Sequence, residues 1–177
     1  MKFTIIIFLA ILSSCQSTTE QQEPKIDFFE DELWSNSKEP LLNIYYQAEE
    51  CGEWGGHEET IVIARNDNKK SFELTYQEYS VNCDSMITEN GKYGLYARPL
   101  KELVRTTRAI IDEPRKKAIL NFSTDMVKSK FNERFTGNSG VILSISNSDS
   151  TFSISTWGGT DEHYLRLVNN LELERRE

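Results

Sequence analysis

Histidine is almost missing from this chain, with two among 177 residues, and cysteine is scarce, with three. Neither Cys51 nor Cys83 belongs to a Cys-x-x-Cys pair, so a zinc ribbon or a thioredoxin-like redox motif has no support. No serine sits in Gly-x-Ser-x-Gly, and His57 is followed by Glu58-Glu59-Thr60-Ile61 rather than the spacing of a His-Glu-x-x-His metalloprotease. A Walker glycine loop and a calcium loop are missing too. The usual evidence for an enzyme is therefore lacking, and no cofactor or metal is implied. Positive charge is also short: 20 Lys and Arg against 28 Asp and Glu give a formal charge of −8. That balance makes nucleic acid and anionic lipid head groups poor partners for the domain as a whole and suits a basic partner better. The one long apolar run, residues 3–12, falls well short of the roughly 20 residues needed to span a bilayer.

That run follows Lys2 and closes on Leu12-Ser13-Ser14-Cys15, which resembles the lipobox of bacterial lipoproteins: a branched aliphatic, two small residues, then cysteine. The resemblance covers roughly the first fifteen residues. It implies that residues 1–14 are a lipoprotein signal peptide and that Cys15 becomes a lipidated N-terminus holding the chain to a membrane of the cell envelope. Gln16, not Asp, follows the cysteine, which in such lipoproteins leans toward the outer membrane. Residues 15–25 then read as a tether, because Gln, Ser, Thr, Glu and one proline cannot bury a core. Residues 26–177 suit a single globular domain. Export to an oxidising envelope allows the remaining pair, Cys51 and Cys83, to form a disulfide.

Ile26, Phe29 and Leu33 recur at helical spacing and predict a short amphipathic helix over residues 27–34. Leu42, Ile44, Tyr46 and Ala48 alternate with polar residues and predict a strand. Ile61 and Ile63 on one side of the turn residues 66–70, with Phe72, Leu74 and Tyr76 on the other, predict a hairpin with Ile63 opposite Phe72 and Ile61 opposite Leu74. Continuing that register brings Cys51 to within about one residue of Cys83, a bulge at the glycines absorbing the difference. Residues 85–94 read as a loop. Pro99 suits a helical first turn, and Leu100, Leu103, Val104, Thr107, Ile110 and Ile111 form a helical stripe, with Lys101, Arg105 and Arg108 on the solvated side and Pro114 as the stop. Ala118, Leu120 and Phe122 alternate as a short strand. Ser123 or Thr124 would cap a second helix that buries Val127, Phe131 and Phe135 and ends before Gly137.

Val141, Leu143 and Ile145 reverse through residues 147–150 to face Thr156, Ile154 and Phe152. A further reversal through residues 158–161 predicts a last strand with Leu165 and Leu167, after which residues 172–177 fray. These patterns predict an α+β domain: an antiparallel sheet built of hairpins, with two helices covering one face.

Two segments echo each other and hold both histidines: Cys51-Gly52-Glu53-Trp54-Gly55-Gly56-His57-Glu58-Glu59 and Trp157-Gly158-Gly159-Thr160-Asp161-Glu162-His163. The plain reading makes each a glycine turn or bulge with the tryptophan packed over bare backbone. The functional reading starts from strand phase, which puts His57 with Ile61 and Ile63, and His163 with Leu165 and Leu167. Were the turns to meet, Trp54, Trp157, His57 and His163 would line one pocket, with Glu58, Glu59, Asp161 or Glu162 at its mouth, suited to a small ligand. A zinc ion held by the two imidazoles and a carboxylate draws no support from ligand spacing. The expected function is a membrane-anchored envelope lipoprotein with a small acidic binding or structural domain. Its partners are the membrane, through lipidated Cys15, and a small ligand or basic protein. The alternative is an inhibitor or immunity-type lipoprotein that neutralises a basic envelope-active enzyme. An enzyme using His57 or His163 as general base is a third reading.

Overall fold

The computed structural model describes residues 28–29, 40–51, 55–66, 71–87, 98–132, 141–157 and 161–175. They form β1 (Leu42–Gln47), β2 (Glu58–Asn66), β3 (Ser71–Ile87), β4 (Arg98–Ile111), α1 (Glu113–Asn132), β5 (Ile142–Ser146), β6 (Ser153–Trp157) and α2 (Glu162–Asn170). The strands make one antiparallel sheet in the order β4-β3-β2-β1-β5-β6, so the fold is α+β as the alternation of hairpins and helices predicts. Among the described residues no helix is long and apolar enough to cross a membrane.

Strand phase decides which side chains are buried. The register sets Leu42, Ile44 and Tyr46 of β1 beside Ile63, Ile61 and Glu59 of β2, and on β5 Ile145 and Leu143 share that face. On β3, Leu74, Tyr76 and Glu78 follow. Ile61, Ile63 and Leu74 are fully buried there, each worth about 1.5–3 kcal/mol of transfer free energy. Against this face lie Ile119, Phe122 and Met126 of α1 and Tyr164, Leu167 and Val168 of α2. Both predicted hairpins keep the expected faces but slide by one pleat: Ile63 meets Leu74 rather than Phe72, and Leu143 meets Thr156 while Ile145 meets Ile154. A two-residue slide preserves which side is buried, so hydrophobic pattern alone does not distinguish the two registers.

Several local expectations are corrected. Residues 98–111 form β4, not a helix. The apolar spacing there fits either period, but Val104, Thr106, Thr107, Ile110 and Ile111 are β-branched, and β3 offers a whole edge of unpaired backbone groups for them to meet. Pro114 does not stop a helix; it lies in the first turn of α1, where its missing N–H leaves no bond unmade. Asp112 caps that end, its Oδ1 accepting from the backbone N–H of Arg115 at 3.0 Å. The expected strand at Ala118, Leu120 and Phe122 is part of the same helix, whose buried stripe is Ala118, Ile119, Phe122 and Met126. Ser123 and Thr124 therefore do not cap; their hydroxyls donate to the carbonyls of Ile119 and Leu120 one turn back. Phe131, expected inside, is 87% exposed. Phe135 and Gly137 lie outside the described residues.

A further correction is α2, expected as a strand, which buries Tyr164, Leu167, Val168 and then Leu171 at i, i+3, i+4 and i+7. Another is the segment after it, residues 172–177, expected to fray, of which 172–175 are described and the last two lie outside the described residues. Glu172 takes a left-handed φ of 57°. The N–H groups of Glu172 and Leu173 donate back to the carbonyls of Asn169 and Val168. This is a Schellman reversal with Leu173 as its apolar seal, and it sends the chain back over the sheet. Of the N-terminal helix expected over residues 27–34, only Phe28 and Phe29 are described. They pack edge-on against Phe152 and Phe72. Of the expected loop 85–94, residues 85–87 continue β3 and the rest lies outside the described residues.

Candidate functional site

Glu59 has the phase of Ile61 and Ile63, so the alternation that builds β2 carries a carboxylate onto the covered face, where it is 1% exposed. An ionised carboxylate in that position needs donors, and the fold collects three from distant stretches and a fourth from His57, two residues away. Oε2 accepts from the hydroxyls of Tyr76 on β3 at 2.7 Å and Tyr164 on α2 at 3.0 Å. Oε1 accepts from Arg175 Nε at 2.7 Å and lies 3.2 Å from His57 Nε2. Tyr46, opposite Glu59 on β1, stacks parallel on Tyr164 at 4.5 Å between ring centroids. The Arg175 guanidinium sits over both rings, at 5.3 and 5.9 Å.

Glu50 closes the other side. Its carboxylate accepts from the backbone N–H of His57 at 2.6 Å and pairs with His57 Nδ1. Two glycines make this approach possible. Gly55 has φ +86°, and a Cβ on it would meet the Gln47 side chain; a Cβ on Gly56 would meet the Glu50 carboxylate and the Ala48 carbonyl. The plain reading of the first glycine turn thus holds for Gly55 and Gly56. The same turn is tied to β3 by the Cys51–Cys83 disulfide, with Cα atoms 5.3 Å apart.

The electrostatics follow from these contacts. Burial alone would raise the Glu59 carboxyl, but hydrogen bonds from His57, Tyr76 and Tyr164 and the Arg175 charge outweigh it and hold the group below its ordinary value. The hydrogen bond to Glu59 lifts the His57 imidazole above its ordinary value, against burial, and Glu50 adds to the lift. His57 Nε2 also lies 3.2 Å from Arg175 Nη2, a contact that suits a neutral ring. The two flanking carboxylates nevertheless set the direction of the shift. Burial and the Glu59 bond push the Tyr76 hydroxyl far up. Tyr164 is raised chiefly by burial, and so is Tyr46, where the charge of Asp161 adds to it. Chemically this is a saturated anion site: each Glu59 oxygen already has two donors.

Of the residues singled out in the sequence, His57 and Glu59 meet here, and Asp161 lies within electrostatic reach. The others go elsewhere. Alternation turns Glu58 to the opposite face of the sheet, where Lys101 Nζ pairs with it at 2.5 Å. His163 faces α1, with Nε2 3.2 Å from Ser129 Oγ and Nδ1 3.6 Å from Asp125, so the two histidines belong to separate clusters. Glu162 is exposed beside Arg166, and Trp157 is 61% exposed on the edge strand β6. Trp54 lies outside the described residues. Among the described residues no group of three or more His, Cys, Asp or Glu could hold a metal ion. Tyr46, Tyr76, Tyr164, Arg175 and Glu50 were not singled out from sequence. One signal was present: an acid in the buried phase of a strand requires partners. No family model, curated protein or solved structure matches this chain.

Proposed function

We propose that the chain is an exported lipoprotein held to a membrane of the bacterial cell envelope through Cys15, and that its folded domain binds a partner or ligand rather than catalysing a reaction. The observation that carries this reading is the Cys51–Cys83 disulfide. Such bonds persist in oxidising compartments and are rare where thiols are kept reduced, so it supports the export implied by Leu12-Ser13-Ser14-Cys15. Binding is favoured over catalysis because a general base must offer a free lone pair to its substrate, and Glu59 has none to spare.

The experiment is expression of the full chain in a bacterial host with labelled palmitate, followed by thiol counting on the unfolded product. Wild type should take up label and show Cys51 and Cys83 oxidised, and Cys15→Ser should take up none. A processed, soluble, unlabelled form, or two free thiols at Cys51 and Cys83, would overturn it.

A further inference from the structure

We propose that the acidic end of the covered sheet face, around Glu59 and Glu78, is a recognition site for an arginine side chain of a basic protein, and that the chain's own Arg175 occupies it in this structure. The inference rests on the binding role proposed above and not on the lipid anchor.

The chemistry around Arg175 is that of a guanidinium receptor. A carboxylate oxygen takes Nε at 2.7 Å while two tyrosine rings stand within 6 Å of the guanidinium carbon, the combination that a planar, weakly hydrated cation prefers and a compact ammonium uses less well. The receptor also has acceptor capacity left over. Glu78 lies directly across from Glu59 on the same face and is 5% exposed, yet its Oε2 has no hydrogen bond; the Arg105 Nε that pairs with it is 3.7 Å away. A buried carboxylate oxygen without a donor is a site that a better-placed cation would complete.

The present occupant is held in a way that permits exchange. Leu171 and Leu173 anchor the reversal after α2, but Glu174 beyond them is exposed, and its carbonyl is gripped only from the surface by Arg105. Arg175 itself is 22% exposed, so the site reaches solvent where its side chain enters. Withdrawing Arg175 would leave Glu59 with Glu78 opposite it and Glu50 and Asp161 nearby, against Arg105 and His57, an excess of negative charge that draws cations. The tail thus behaves as an internal competitor.

The test is an NMR titration of the full chain in detergent with N-acetyl-arginine amide, using the neutral isostere N-acetyl-citrulline amide as control. Arg175→Ala should bind the arginine probe about tenfold more tightly than wild type, because the competitor is gone. The citrulline probe should gain nothing, and adding Glu59→Gln should remove the gain. A folded Arg175→Ala chain that binds arginine no better than wild type, or binds citrulline equally well, overturns the site. Should Arg175→Ala not fold, wild type decides: saturating arginine must shift the Arg175 side-chain Nε–H resonance, and an unchanged resonance overturns the proposal. Palmitate labelling is blind to all of these outcomes, so loss of the arginine site and loss of the lipoprotein reading are told apart.

Discussion

Glu59 and Arg175 are 116 residues apart in the chain and joined by a 2.7 Å charge-assisted hydrogen bond in the fold. That bond stitches the segment after α2 to the second strand of the sheet, and the donors around it make it the best-satisfied buried charge among the described residues. Its removal should be felt throughout the domain.

Glu59→Ala leaves the Tyr76 and Tyr164 hydroxyls and the Arg175 guanidinium without their acceptor. Breaking a buried pair from one side destabilises by roughly 3–5 kcal/mol. Urea unfolding should show that loss. Tyr164→Phe removes one hydroxyl donor to a charged group and keeps the stacked ring, so about 1.5–3 kcal/mol is expected. Equal losses for the two variants would mean that Glu59 is not the centre of the cluster.

Stability should fall on both sides of a plateau in pH. The folded-state pKa of Glu59 is depressed, so its contribution is present above the ordinary carboxylate value of 4.5 and disappears as pH drops through the lowered one. The folded-state pKa of His57 is raised, so its contribution is complete below the ordinary imidazole value of 6.5 and disappears as pH climbs through the raised one. Urea midpoints across pH should therefore be highest between those two ordinary values. His57→Gln should flatten the alkaline limb and shrink the acid limb without abolishing it, because Tyr76, Tyr164 and Arg175 still hold Glu59 down; an unchanged alkaline limb would detach His57 from the effect.

The Cys51–Cys83 bond spans a sequence separation of 32 residues and ties the glycine turn to β3. Replacing both cysteines with serine should lower stability by about 3–4 kcal/mol on the chain-entropy estimate. The loss should appear in denaturant melts of oxidised protein and vanish when wild type is reduced first.

Phe131 separates the structure from the helical pattern that would bury it. At 87% exposure, Phe131→Ser should change stability by no more than about 0.5 kcal/mol, whereas Phe122→Ala, on the buried stripe of the same helix, should lose about 3–5 kcal/mol. Thermal melts of the two variants decide which stripe faces the sheet.

Some of this architecture was legible residue by residue. Strand phase is local, so the alternation in Leu42–Gln47, Ile61–Ile63 and Leu143–Ile145 was enough to name the buried face, and counting the cysteines that follow Cys15 was enough to pair Cys51 with Cys83. Periodicity failed where one spacing serves two structures. Residues 98–111 satisfy a helical stripe, yet they lie along β3, because a long strand's unpaired backbone groups are a stronger claim than the intrinsic preference of the segment beside it. The reverse happened in α1, where Ala118, Leu120 and Phe122 alternate by accident inside a helix capped by Asp112.

Local pattern accounts for the α+β class, the buried faces of β1, β2, β5 and β6, and the pairing of Cys51 with Cys83. The site, by contrast, comes from long-range packing. Glu59 drew its donors from Tyr76, Tyr164 and Arg175, which lie 17, 105 and 116 residues away, and no local pattern reaches across such distances. A buried carboxylate announces that it needs partners, but which residues answer depends on strand order, helix docking and the reversal at Glu172, and these exist only once the chain has folded.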